Sequence, residues 1–195
     1  MKVEIETVNW NKDKGQMSSL LNELPKWRLE KSLSFHFDID KYLCVKSFFL
    51  LKKMLLQEYQ LKDIPQFSYG ENCKPYFKEY PNIHFNISHC KTGIACVVNN
   101  TPVGIDIEQL HFDKVVAENI LSQKELQIVQ NSEFPEKEFI KYWTMKESYL
   151  KLLGIGIKDD MKNILDKCAD EVEFKTYVDE NSSFVTTVAF NKNKE

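Results

Sequence analysis

Apolar residues recur at every second position near the start of the chain, and every three or four positions through two later stretches. Met1–Trp10 reads as a strand, with Val3, Ile5 and Val8 expected inward among charged residues. Met17–Leu24 reads as a helix that Pro25 closes. Trp27–Phe37 shows no decisive period. From Ile39 to Tyr59, Tyr42, Leu43, Val45, Phe49, Leu50, Met54 and Leu55 supply the broad apolar face of a long helix, with Asp38 or Asp40 as its cap. Phe67–Tyr80 is polar, carries Gly70, Lys74 and Pro75, and reads as a loop.

Strands then begin. In Ile83–His89 the residues Ile83, Phe85 and Ile87 alternate with His84, Asn86 and Ser88. Ile94–Val98 is apolar throughout, and Val103–Glu108 follows the turn signal Asn99-Asn100-Thr101-Pro102, so these two runs are expected to pair as a hairpin. Val115–Ile120 is apolar-rich. Ser122–Gln130 predicts a short helix, with Ser122 capping and Glu125 three residues on. Pro135 fits the first turn of a second long helix that runs to about Leu153 and stops at Gly154. Val172–Val178 and Phe184–Phe190 predict strands, and Asn191–Glu195 should fray. Each half thus holds one long helix and a few strands. The expected architecture is α+β, in two halves, 1–102 and 103–195, joined near Pro102.

Composition narrows the function. The 195 residues are 43% hydrophobic and 12% aromatic, enough to fill a core and exclude wholesale disorder. The 26 Lys+Arg against 29 Asp+Glu give a net charge of −3, so no nucleic-acid partner is expected. The most apolar run, SFFLLKKMLL, is cut by Lys52 and Lys53, which excludes a membrane span there, and Met1–Gly15 lacks the apolar core of a secretory signal. The five cysteines are scattered and never spaced CxxC, which argues against a zinc knuckle or a disulfide framework and fits free thiols in a cytoplasmic protein.

Candidate chemistry sits in four places. Asp106 and Glu108 alternate with Ile105 and Ile107 on a predicted strand, so both carboxylates face one side, with Cα atoms about 6.6 Å apart. On the second long helix Trp143, Glu147 and Lys151 recur every four residues and share a face. Read separately, the first is a solvated acidic pair and the second an ordinary i,i+4 ion pair worth roughly 0.2–0.5 kcal/mol. Packed together, Asp106, Glu108 and Glu147 converge. Two unit charges 5 Å apart at an effective dielectric of 20 repel by roughly 3 kcal/mol, so three carboxylates in one cleft call for a cation. With oxygen donors only, Mg²⁺ is the natural choice, and it usually brings a phosphate. Lys146 and Lys151 flank this site as candidate phosphate ligands. Third, Ser88 and His89 end a strand before Lys91-Thr92-Gly93, a set suited to phosphate. A Ser–His nucleophile is disfavoured because neighbours on a strand point to opposite faces. Fourth, Lys74 is held extended by Pro75 and can reach outward. Arg28 and Lys31 are weaker candidates of the same kind.

VGIDIE followed by WTMKESYLKLLG resembles the 4′-phosphopantetheinyl transferase family. FNISHC and the KP-containing loop resemble its longer, surfactin-synthetase-activating (Sfp-type) branch, over roughly Arg28 to Gly156. The resemblance implies transfer of 4′-phosphopantetheine from coenzyme A to a serine hydroxyl of an apo acyl or peptidyl carrier protein, with release of 3′,5′-ADP. It also implies a pseudo-dimer of two similar halves, each a long helix on a small antiparallel sheet, with the active site in the cleft between them. The N-terminal half would bind coenzyme A, and the C-terminal half would hold the metal and the carrier. The family's metal ligands fall on Asp106, Glu108 and Glu147, for Mg²⁺ or Mn²⁺. Its coenzyme A contacts fall on Lys74, Ser88, His89 and Lys151, then Arg28 and Lys31. Glu147 would take the serine proton and Lys151 would stabilise the departing phosphate. An acidic helical carrier would be received along Asp113–Gln130, and a monomer is expected.

The sequence departs from the family at Cys90, where serine usually follows SH, at Leu121 before Ser122, and at Leu43 on the first long helix. Two other readings stand beside the transferase. One is another Mg²⁺-dependent phosphoryl-transfer enzyme with the same carboxylates. The other is an inactive coenzyme A- or carrier-binding module.

Overall fold

The computed structural model describes residues 1–156, 161–178 and 183–192 of the chain. Strand β1 (Lys2–Thr7) leads into three short helices, α1 (Trp10–Asp13), α2 (Met17–Asn22) and α3 (Lys26–Leu33), and then the long α4 (Asp38–Tyr59). A two-residue hairpin, β2 (Ser68–Tyr69) and β3 (Pro75–Tyr76), precedes β4 (His84–Cys90), β5 (Gly93–Asn99) and β6 (Val103–Gln109). Helices α5 (Lys114–Ile120) and α6 (Gln123–Gln130) lead to the long α7 (Pro135–Leu153). Short α8 (Ile164–Cys168) and strands β7 (Val172–Val178) and β8 (Phe184–Asn191) complete the α+β fold.

Six of these strands form two antiparallel three-stranded sheets, ordered β1-β5-β4 and β6-β8-β7. The two orders are the same. In each, the first strand of its half pairs with the third, the second lies on the far side, and a long helix falls between first and second strands in sequence.

The expected hairpin of Ile94–Val98 with Val103–Glu108 does not form. β5 is a central strand, with β1 on one edge and β4 on the other, so no edge is left for β6, which pairs with β8 instead. Pro102 ends the crossing, its missing N–H making it a poor ladder residue. Val97, Ala95, Val3 and Ile5 from the first sheet meet Val103, Ile105, Ile107 and Val188 from the second in one apolar layer.

The helices cover the outer faces. On α4, Tyr42, Val45, Phe48, Leu51, Met54 and Leu55 pack on Phe85, Ile94, Cys96 and Val98. Each buried side chain of this size contributes roughly 1.5–3 kcal/mol of transfer free energy. Neither Asp38 nor Asp40 caps α4. Both lie inside its first turn, where their charge favours the helix N-terminus, and Phe37 stands at the cap without a side-chain bond. Trp27, in the segment without a clear period, belongs to α3 and packs edge-on against Phe48.

Ser122 and Glu125 close a reciprocal capping box on α6, and Pro135 opens α7 as the spacing suggests. Gly154 ends α7 at φ +68°, a left-handed conformation that glycine adopts without strain. Asn191 pairs with Val172, and Lys192 N donates to Glu171 O at 2.9 Å, so the expected fraying does not include these two; 193–195 lie outside the described residues. Among the described residues no helix is long and apolar enough to cross a membrane.

Candidate active site

The pleat of β6 divides its side chains. Val103, Ile105 and Ile107 enter the apolar layer between the sheets, while Gly104, Asp106 and Glu108 alternate toward α7. Gly104 is what lets α7 come so near. A Cβ there would stand 2.1 Å from Ser148 O and 2.4 Å from Leu152 N. The backbone contact at Gly104 brings the helix turn carrying Glu147 and Lys151 over Asp106, two residues along the strand.

Asp106 is the centre of the site and its side chain is only 3% exposed. Its Oδ1 accepts from Lys151 Nζ at 2.5 Å and from Ser88 Oγ at 3.0 Å, and Lys151 Nζ donates to Ser88 Oγ at 2.9 Å. Three elements, β4, β6 and α7, therefore meet in one triangle of hydrogen bonds. Lys151 spends its charge on Asp106 rather than on the i,i+4 partner Glu147. Beside the triangle, Asn86 Oδ1 accepts from Ile105 N at 2.9 Å, so a side-chain amide stands in for a ladder bond where the edges of the two sheets meet.

Electrostatics mark the three carboxylates as a group. Desolvation, then the Asp106 charge, raise the carboxyl pKa of both Glu108 and Glu147, with Lys151 opposing. Asp106 Oδ2 and Glu147 Oε1 are buried without a hydrogen-bond partner. An unmet carboxylate oxygen is costly unless a cation or donor completes it. The donor set is all oxygen, which fits a hard dication such as Mg²⁺. Among the described residues no three His, Cys, Asp or Glu side chains gather closely enough to hold a metal by themselves. That is compatible with Mg²⁺, which characteristically takes one or two carboxylates and completes its shell with waters and substrate phosphates.

A cavity of ≈ 340 Å³ adjoins the triangle, lined by Asn86, Ile87, Glu147 and Lys151 with the 72–75 loop and Gly154–Gly156. His89 points away from Ser88, as strand alternation requires. It is exposed by area, yet enough protein crowds the ring that desolvation, then the Lys151 charge, lower its pKa from 6.5.

Three sequence-predicted phosphate ligands are engaged elsewhere. Lys146 is fully buried: its Nζ pairs with Glu125 Oε2 at 2.9 Å and donates to Met161 O at 2.8 Å and Lys162 O at 3.1 Å. Neighbours on a helix lie 100° apart, so Lys146 cannot share the Glu147–Lys151 face. Arg28 is 8% exposed, donates to Cys44 O at 2.9 Å and lies against the rings of Phe48 and Phe67. Lys74 Nζ donates to the carbonyls of Val103 at 3.0 Å and Leu152 at 3.2 Å. Lys31 is exposed and its ammonium lies over the Phe35 ring.

Two features escaped sequence reasoning. Asn86 shares the polar face of β4 with Ser88, so the alternation that singled out Ser88 carried the signal for it as well. The Glu125–Lys146 pair had only a weak signal, because 21 residues and a change of helix separate its members.

A carboxylate on a strand, a lysine on a facing helix and a serine from the neighbouring sheet thus meet with unmet buried oxygens beside them. Residues 102–191 match the family model of the 4′-phosphopantetheinyl transferase superfamily. The chain is 35% identical over 103 residues to the 4′-phosphopantetheinyl transferase psf-1 of Bacillus pumilus, covering 51% of this chain and 44% of that protein. It is 38% identical over 130 residues to the 4′-phosphopantetheinyl transferase gsp of Aneurinibacillus migulanus, covering 60% and 53%. It is 30% identical over 132 residues to the 4′-phosphopantetheinyl transferase Sfp of Bacillus subtilis, covering 66% and 59%. The chain belongs to the 4′-phosphopantetheinyl transferase superfamily, with relatives of the Sfp type. It spans about half the length of the curated relatives it matches.

Proposed function

We propose that this protein transfers 4′-phosphopantetheine from coenzyme A to a serine hydroxyl of an apo acyl or peptidyl carrier protein. The observation that carries the reading is the Ser88–Asp106–Lys151 triangle beside the unpartnered oxygens of Asp106 and Glu147, with Asp106, Glu147 and Lys151 inside the segment that matches the family model. The shared strand order of the two sheets supports a pseudo-dimer of halves 1–102 and 103–195, with the site at their seam.

Asp106, Glu108 and Glu147 are the candidate carboxylates for Mg²⁺ or Mn²⁺, with Asp106 and Glu147 foremost because each has a buried oxygen without a partner. When bound, the ion offsets the charge of the pyrophosphate as the bond order at phosphorus changes. Glu147, whose carboxyl is held above its usual pKa by burial and by Asp106, accepts the proton of the carrier serine. The serine oxygen forms a bond to the β-phosphorus of coenzyme A. The bond from that phosphorus to the bridging oxygen breaks, and 3′,5′-ADP leaves with that oxygen. Lys151 stabilises the departing phosphate, and Ser88 orients Lys151 and Asp106. His89 and the exposed Lys31 are the groups that would meet the 3′-phosphate, whereas Arg28 is held against Phe48 and Phe67. Exposed Val115 and Ile128, on the same two helices as Lys114 and Lys124, suit an acidic carrier with an apolar contact face.

The test is the intact mass of a purified apo carrier protein after incubation with this protein, coenzyme A and Mg²⁺. A gain of about 340 Da that EDTA abolishes is expected. No gain across several unrelated carriers would refute the transferase reading.

A further inference from the structure

Lys74 is separated in sequence from everything its ammonium touches. It comes from the loop before β3, in the half that ends at Pro102. Its two acceptors, Val103 O and Leu152 O, belong to the start of β6 and the last turn of α7. The loop is built to present it. Cys73 takes a left-handed φ of 61°, Cys73 N donates to Gly70 O at 3.0 Å, and Gly70 N donates to Lys74 O at 3.1 Å. Pro75 holds Lys74 extended. Its aliphatic stem then lies along Gly154, where a Cβ would stand only 3.4 Å from the Lys74 Cδ.

Leu152 O is one of the four carbonyls that a helix leaves without an internal partner, and a cation at that end meets the negative end of the helix dipole. Leu152 directly follows Lys151, and Glu147 lies one turn earlier on the same face. Lys74 therefore fastens the end of the helix that carries both groups. It also lines two cavities, of ≈ 340 Å³ and ≈ 470 Å³, and stands with Pro75 and Gly154 in the wall between them.

We propose that Lys74 is a positioning residue: it clips the N-terminal half onto the C-terminal turn of α7 and so fixes Lys151 and Glu147 against Asp106, instead of gripping coenzyme A phosphate. The proposal rests on the transferase reading above, in which those three side chains act on the pyrophosphate. A phosphate ligand is required mainly for binding. A clip is required mainly for turnover, because a displacement of about 1 Å at a reacting group can lower a rate by roughly a hundredfold.

The experiment compares wild type, Lys74→Met and Lys74→Arg. Coenzyme A affinity is measured by calorimetry with coenzyme A alone, and kcat and KM are measured by intact mass of an apo carrier. Methionine keeps the stem and loses the donors; arginine keeps donors that can span two carbonyls. For Lys74→Met, a Kd for coenzyme A within about twofold of wild type and a kcat lower by about tenfold or more are expected. Lys74→Arg should recover a substantial part of that kcat. A tenfold rise in Kd with kcat unchanged in either variant would overturn the clip and restore Lys74 as a phosphate ligand. If Lys74→Met fails to fold, Lys74→Arg decides alone by the same split. A wild-type protein that binds coenzyme A but modifies no carrier refutes the transferase reading, and does so before any variant is compared.

Discussion

Replacing Gly104 by alanine puts one methyl group where β6 and α7 touch. The added Cβ would fall 2.1 Å from Ser148 O, 2.4 Å from Leu152 N and 2.9 Å from Lys151 C. All three are backbone atoms, so no rotamer change relieves the clash. Against the 3.4 Å at which ordinary contact begins, the nearest atom is short by 3.4 − 2.1 = 1.3 Å. The helix must move off the strand by about that much, or the strand must bend. Overpacking of this kind costs roughly 1–3 kcal/mol, and here the rigid partners favour the upper end. For a chain of this size each kcal/mol lowers Tm by about 2–4 °C, so a fall of about 4–12 °C is expected. The same displacement carries Lys151 and Glu147 away from Asp106, and carrier modification should slow by one to two orders of magnitude, or about 10–100-fold. Thermal melting followed by circular dichroism and intact-mass kinetics measure the two effects. Gly15→Ala is the control, since nothing lies within 4 Å of its added Cβ. A Gly104→Ala protein that melted within a degree of wild type and kept its rate would refute the close-packing argument and the placement of α7 with it.

Other perturbations follow from the same contacts. Lys146→Met leaves the Glu125 carboxylate without its buried partner and should cost roughly 3–5 kcal/mol in urea denaturation, whereas Lys146→Met combined with Glu125→Gln should recover much of that loss. Asp106→Ala should abolish carrier modification; rates near wild type would dismiss its assignment as a metal ligand. Burial lowers the Lys74 pKa from 10.5 to about 8. The unfolded chain then holds that proton more tightly, so the group's cost to stability is full below pH 8 and is relieved as pH rises toward 10.5. The stability of wild type relative to Lys74→Met should therefore increase between pH 8 and 10.5, and denaturation curves that showed no such trend would contradict the burial of this ammonium.

Local signals in the sequence were read well wherever local physics decides the outcome. The period-two face of β4, the capping box at Ser122, Pro135 at the helix start and Gly154 at its end all appear as the residues imply. Strand alternation and helical periodicity each fix a face, so Asp106, Glu147 and Lys151 stood out singly, but the Asp106–Lys151 ion pair did not, since the sequence offered Lys151 to Glu147 or to phosphate. The failures arise where partners distant in the chain decide. β5 and β6 adjoin in sequence, yet β1 has already taken the edge β6 would need. Lys146 and Lys151 look alike as flanking lysines, but 100° of helix rotation sends one into Glu125 and the other to Asp106. Arg28 reads as a surface cation until α4 and the 67 loop supply the aromatic rings that bury it.

The matching strand orders have a consequence for synthesis. Every strand of the first sheet lies before residue 100, and every strand of the second after residue 102, with a single crossing between them. As the chain leaves the ribosome, the first sheet can close around α4 once β5 has emerged, while β6 is still to come. β6 then has no pairing partner until β8, some eighty residues later, has been made. During that interval an apolar strand and an unpaired Asp106 wait together. The sheet that bears Ser88 and Asn86 is therefore complete in sequence before Asp106 is made, and Asp106 lies on a strand whose ladder partner is the last strand of the fold.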